Sequence, residues 1–138
     1  MENFFIVQNG LVVNTNPLTD VSSGSYQIVL NNQSTAYMNC SVASAPQNTS
    51  TVIDSFSKTW GNSAKWLLSI NSGSNFKTSE VMAVWDPATN TTTNAEYTTN
   101  AIGTVPAFMS VNISGQNVRL VAYPTTGSWT IKMLRFVI

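Results

Sequence analysis

The chain has 138 residues, enough for one domain with a substantial core and too few for two. Six basic and six acidic residues balance to zero and only 9% of residues are charged. Four Lys and two Arg spread along the chain do not form the patch that several nucleic-acid phosphates require.

Neutral polar side chains carry the solubility, since Thr, Ser and Asn make up 50 of the 138 residues. That composition favours turns and pleated surfaces over helices. Hydrophobic residues alternate with a period of two almost throughout, so the elements are predicted as short strands and no helix is placed.

In chain order, the N-terminal part offers strands over Phe4 to Val7, Leu11 to Val13, Tyr26 to Asn31 and Ala36 to Val42. Loops are predicted over Asn14 to Gly24 and Ala43 to Thr49. Met1-Glu2-Asn3 has no basic n-region and Phe4-Phe5-Ile6-Val7 is too short for an apolar one, so no secretory leader is expected. No apolar run nears the roughly 18 to 20 residues of a membrane span, so no membrane partner is expected either. Cys40 is the only cysteine, which excludes an intrachain disulfide and reads as a small, half-buried filler.

Three strands follow over Thr51 to Trp60, Ala64 to Asn71 and Ser79 to Asp86, with turns at 61–63 and 71–75. Period two places Asp54 and Lys58 on one strand face with Phe56 between them, Lys65 with Leu67, and Glu80 with Met82 and Val84. Charges among apolar neighbours imply pairing. Asp54, Lys58, Lys65, Glu80, Arg119 and Arg135 are therefore a candidate ion-pair network, either cross-strand within one subunit or between subunits.

The last third, Asn94 to Ile138, reads as a run of short strands, with a hairpin of Ala107 to Ile113 returning through Val118 to Tyr123 about Gly115 and a final strand from Ser128 to Ile138. That strand has apolar residues on both faces, the pattern of a central strand covered on both sides. Eight to ten short strands with turns about every ten residues predict an all-β, single-domain antiparallel β-sandwich, jelly-roll-like, with an arm or first strand over residues 1–16 and the sandwich over 17–138.

Chemistry-bearing constellations are sparse. There is no histidine, which removes the commonest general base and metal ligand and every Ser-His or Cys-His nucleophile. Six acids offer pairs by chance only, and Asp86 with Asn90 and Glu96 is a thin calcium cluster, so neither an enzyme nor a metal or other cofactor is expected. Of Trp60, Trp66, Trp85 and Trp129, Trp66 and Trp85 are the better candidates for an exposed sugar-stacking platform. Core or subunit packing is the commoner use of such residues.

The stretches Val52 to Lys58, Ala64 to Ile70, Ser79 to Asp86, Ala95-Glu96-Tyr97 and Ile113 to Leu120, with Tyr123-Pro124 and Ile131-Lys132, resemble a β module of tailed-bacteriophage virion proteins, notably those of phages of marine bacteria. It occurs in tail-fibre-like, neck and capsid-surface proteins, and the resemblance spans about residues 51 to 138 in order. It implies a non-enzymatic virion building block assembled in the host cytoplasm. The favoured expectation is a capsid decoration (cement) protein on the particle surface, a homo-oligomer, trimer favoured, clamping the major capsid protein or other virion proteins. Phe4, Phe5, Ile6, Leu11, Val12 and Val13 of the arm would be the clamp, being costly to leave in water. The alternative is a tail-fibre, neck or baseplate module binding a glycan or receptor.

Overall fold

The computed structural model describes the backbone of residues 4–7, 11–14, 26–32 and 34–138, and side chains from Ala36 onward except Thr98 and Thr99. Eleven strands are present among the described residues, and no helix. They are β1 (Phe4–Val7), β2 (Leu11–Asn14), β3 (Tyr26–Asn32), β4 (Ser34–Ala45), β5 (Thr51–Ser57), β6 (Ser63–Ser72), β7 (Asn75–Asp86), β8 (Thr91–Ile102), β9 (Ala107–Ser114), β10 (Asn117–Pro124) and β11 (Trp129–Val137).

All pairings are antiparallel, and the strands form two sheets. Eight lie in the order β1-β2-β3-β4-β11-β6-β7-β8 and three in the order β5-β10-β9. The protein is thus the expected all-β sandwich, with unequal halves. Contacts of β5 with β4 and of β9 with β8 show that the small sheet spans the inner face from β4 to β8. Strands β1 to β3 continue the large sheet beyond β4.

Alternation explains the core. Trp129, Ile131, Met133 and Val137 of β11 are buried, as are Trp66, Leu68 and Ile70 of β6 and Val81 and Ala83 of β7. They meet Phe56, Met109, Val111, Val118, Leu120 and Ala122 of the small sheet. Each large apolar side chain taken fully out of water contributes about 1.5 to 3 kcal/mol. β11 is central, as its pattern predicts, but only its inward face is fully covered. Leu134 and Phe136 on the other face are half-buried, which corrects the expectation of cover on both sides.

Two hairpins share one turn chemistry. The β6–β7 turn is Gly73-Ser74 and the β9–β10 turn is Gly115-Gln116, each with glycine first at φ 60°. Glycine at that position matches the twist of the flanking strands without a Cβ penalty.

Several boundaries differ from the sequence expectation. β4 runs through the predicted loop as far as Ala45, and β7 starts at Asn75, because Lys77 is buried by an ion pair rather than left in a loop. β8 overlaps the run of short strands expected from Asn94 but starts earlier and has no bounds of its own in the sequence: it is rich in Thr and Asn and exposes most of its residues, so it carries little hydrophobic period. β5 stops at Ser57, where the Trp60 N–H closes a turn on the Ser57 carbonyl at 3.1 Å. The predicted loop at 14–24 lies, apart from Asn14, outside the described residues.

Candidate functional site: two exposed sheet faces

The predicted ion-pair residues separate into four places. Arg135, 1% exposed, puts Nη1 2.7 and 2.9 Å from the two carboxylate oxygens of Asp54, which also accepts Trp66 Nε1 at 2.8 Å. The guanidinium lies 4.4 Å above the centre of the Phe56 ring, adding a cation–π contact. This pair joins the centre of the large sheet to the edge strand of the small one. A bulge makes it possible: β10 slips register between Leu120 and Val121, so Ile53 and Asp54 both turn inward and Val52 turns out.

Lys58 is not paired with Asp54, because β5 has ended before it. Its Nζ donates instead to Asn90 Oδ1 at 2.6 Å. Lys65 and Glu80 meet at 2.9 Å on the outer face of the large sheet, both partly exposed. Arg119 donates from Nε to Asn112 Oδ1 at 2.9 Å on the outer face of the small sheet.

A further ionic site lies outside those six residues. Lys77 Nζ and Ser79 Oγ both donate to Glu96 Oε1, while Glu96 Oε2 accepts the Met109 backbone N–H at 3.1 Å. Asn94 Oδ1 accepts the Val111 N–H at 3.2 Å. Side chains of β8 thus satisfy the free edge of β9, the role a neighbouring strand would otherwise play. The signal lay in Asn94 and Glu96, two residues apart and so on one face of a strand.

Trp66 and Trp85 do not form an exposed platform, which corrects that expectation. Trp66 is fully buried and Trp85 is 4% exposed. Both point into the core with their indole N–H groups satisfied, Trp66 on Asp54 and Trp85 on the Lys58 carbonyl at 3.0 Å. Cys40, expected to be half-buried, is exposed on the outer face of β4. Phe4, Phe5, Ile6, Leu11, Val12 and Val13 lie in β1 and β2, paired as a hairpin with Ile6 opposite Val12, and their side chains are outside the described residues.

What the structure exposes is different. On the outer face of the small sheet, Phe108 and Tyr123 sit directly across from each other in β9 and β10, 62% and 40% exposed. The next row is Ser110, Val121 and Val52, and the next is Asn112, Arg119 and Ser55. The face therefore grades from aromatic to polar over about 14 Å, four residues of strand. Arg119 keeps its terminal Nη groups without a partner among the described residues. The outer face of the large sheet is more apolar, with Val84, Tyr97 and Ile138 exposed around the Lys65–Glu80 pair. Among the described residues, no group of three His, Cys, Asp or Glu is placed to hold a metal ion, and no helix is long and apolar enough to cross a membrane.

No family model matches the chain, and no curated protein matches it. Among solved structures, the tailspike protein gp49 of the Acinetobacter baumannii bacteriophage Fri1, a capsular polysaccharide depolymerase, is similar at 17% identity with a TM-score of 0.42. The match covers 74% of this chain and 18% of that one, so the chain spans less than a fifth of the tailspike's length. The likeness transfers no catalytic residue. The similar protein is a depolymerase, which stands against the expectation that the chain is not an enzyme; the activity is that protein's own.

Proposed function

We propose that the chain is a virion-associated β module of the tail-fibre, neck or baseplate kind, with the outer face of its three-stranded sheet as a glycan-binding surface. The observation that supports this reading is the exposed Phe108–Tyr123 row with Arg119 and Asn112 two rows away. Aromatic faces pack against the C–H faces of sugar rings, and a pre-positioned Arg–Asn pair supplies donors and an acceptor for hydroxyls or a carboxylate. The hydrogen bond from Nε to Asn112 holds the guanidinium in place, so less entropy is lost on binding. The capsid-decoration reading, which rests on the side chains of residues 1–16, has no observation behind it among the described residues.

The test is binding of the full chain to immobilised capsular polysaccharides and to a glycan array. Wild type should bind, and Phe108→Ala, Tyr123→Ala and Arg119→Ala should each weaken binding at least about tenfold, a loss of about 1.4 kcal/mol. Circular dichroism should be unchanged, because all three side chains are exposed or half-exposed. Absence of any glycan binding by wild type, or full binding by all three variants, would sink the reading. Release of new reducing ends in the same mixtures reads cleavage.

A further inference from the structure

We infer that the outer face of the eight-stranded sheet is an interface between copies of this chain. Cross-strand registers lay the face out in rows. One row is Met38, Phe136, Lys65, Met82 and Ala95, and the next is Cys40, Leu134, Leu67, Glu80 and Tyr97. Met82, Val84, Tyr97 and Ile138 are 42%, 54%, 54% and 69% exposed. Phe136, Met82, Val84 and Ile138 line a groove of about 530 Å³. Isolated exposed apolar residues are ordinary, but a contiguous apolar sheet face marks an interaction site.

Area and charge select the occupant. Five strands, β4 to β8 in the sheet order, are about 24 Å across, and nine residues of β11 run about 30 Å. The face is therefore on the order of 700 Å², close to the roughly 800 Å² per partner of a standard stable interface. Its charges are Lys65 and Glu80, 2.9 Å apart, with Lys132 of β11 one row beyond Leu134 and Asp86 at the end of β7, so they sum to zero. A two-fold operation places the same patch on both sides, so a face pairs with itself only if its charges balance, and these do. A partner chosen by opposite charge would call for an unbalanced face. The groove then receives an apolar side chain of the other copy, the arrangement that carries most interface energy.

Sedimentation equilibrium of the full chain tests this. Wild type should self-associate, and Val84→Asp, placing a carboxylate beside the groove, should weaken association at least about a hundredfold, or 2.7 kcal/mol. Ser110→Asp on the opposite sheet should leave it unchanged. Cys40 gives an independent readout: its alkylation by a maleimide should slow as wild-type concentration rises and stay fast in Val84→Asp. A wild type that is monomeric at about 100 µM, a concentration at which even weak contacts of about 5.5 kcal/mol register, overturns the inference. So does a folded Val84→Asp that associates like wild type, or alkylation independent of concentration. Binding of a different protein to a monomeric wild type would likewise overturn it. Glycan binding at the other face is read separately, so either reading can fail alone.

Discussion

Asp54 and Arg135, 81 residues apart in sequence, meet inside the sandwich with Nη1 2.7 and 2.9 Å from the two carboxylate oxygens. The ion pair is buried on both sides, 1% and 5% exposed at the side chains. Removing one member strands the other. Arg135→Met should destabilise the protein by about 3 to 5 kcal/mol, whereas Arg135→Met with Asp54→Leu should recover part of that loss. Recovery would be incomplete because Trp66 Nε1 loses its acceptor, at about 1 to 3 kcal/mol. Urea unfolding of the two single variants and the double variant checks the cycle. An additive double variant would show that the pair is not coupled.

Glu96 ties three donors together, two side chains of β7 and the edge N–H of Met109. Glu96→Ala should cost about 3 kcal/mol, since buried Lys77 loses its counter-charge and keeps only the Ala107 carbonyl, and the Met109 amide loses its acceptor. Glu96→Gln keeps one carbonyl oxygen and should cost less. Amide hydrogen exchange at Met109 and Val111 should rise selectively in Glu96→Ala. Exchange unchanged there would show that β8 does not protect the β9 edge.

Asp86 ends β7, its carboxylate accepting the Thr89 hydroxyl at 2.7 Å and the Ala88 N–H at 2.8 Å. These hydrogen bonds, Thr89 first, hold its pKa below the ordinary aspartate value. A depressed folded pKa stabilises the fold above the unfolded value of about 3.9, and the contribution fades as pH falls through the lower folded value. Asp86→Asn should therefore flatten the acid limb of thermal stability below about pH 4 relative to wild type. An NMR titration placing the Asp86 midpoint at or above 3.9 would contradict this account.

Gly61 and Gly73 should respond differently to alanine. A Cβ at Gly61 would lie 2.5 Å from the Ile138 carbonyl oxygen, itself the acceptor for Asn62 and Ser63 N–H groups. The clash is with backbone, so Gly61→Ala should cost about 1 to 3 kcal/mol. At Gly73 there is open space and only the φ of 60° resists, so Gly73→Ala should cost about 1 kcal/mol and Gly73→Asn less. Thermal melts of the three variants give the order.

Trp66 shows how far the sequence could be read and where it stopped. Alternation on β6 correctly sets Trp66 apart from Leu67, but period two names two faces and not which one is inside. Alternating Ala64, Trp66, Leu68 and Ile70 face the small sheet, and Lys65, Leu67 and Ser69 face out. That choice depends on β5 of the other sheet lying against β6, where Trp66 meets Asp54 and the Phe56 ring, a packing that no local pattern in β6 encodes. The same ambiguity hid Phe108 and Tyr123, which alternate out of β9 and β10 onto a face that nothing in the described residues covers.

What the chain's own order carried was local: the alternation that makes strands, the Gly115 and Gly73 turns, and the absence of helix-forming periods. Each is a property of a few neighbouring residues, set by sterics and by solvation. What only the tertiary structure decided was pairing between distant segments. The bulge turns Asp54 toward Arg135, Glu96 caps the edge of another sheet, and an eight-against-three split leaves two faces open, one aromatic and one apolar. A carboxylate or an aromatic ring has no preferred partner until long-range packing brings one within a few ångströms. Burial, and with it the energy of each contact, is set at that stage of folding.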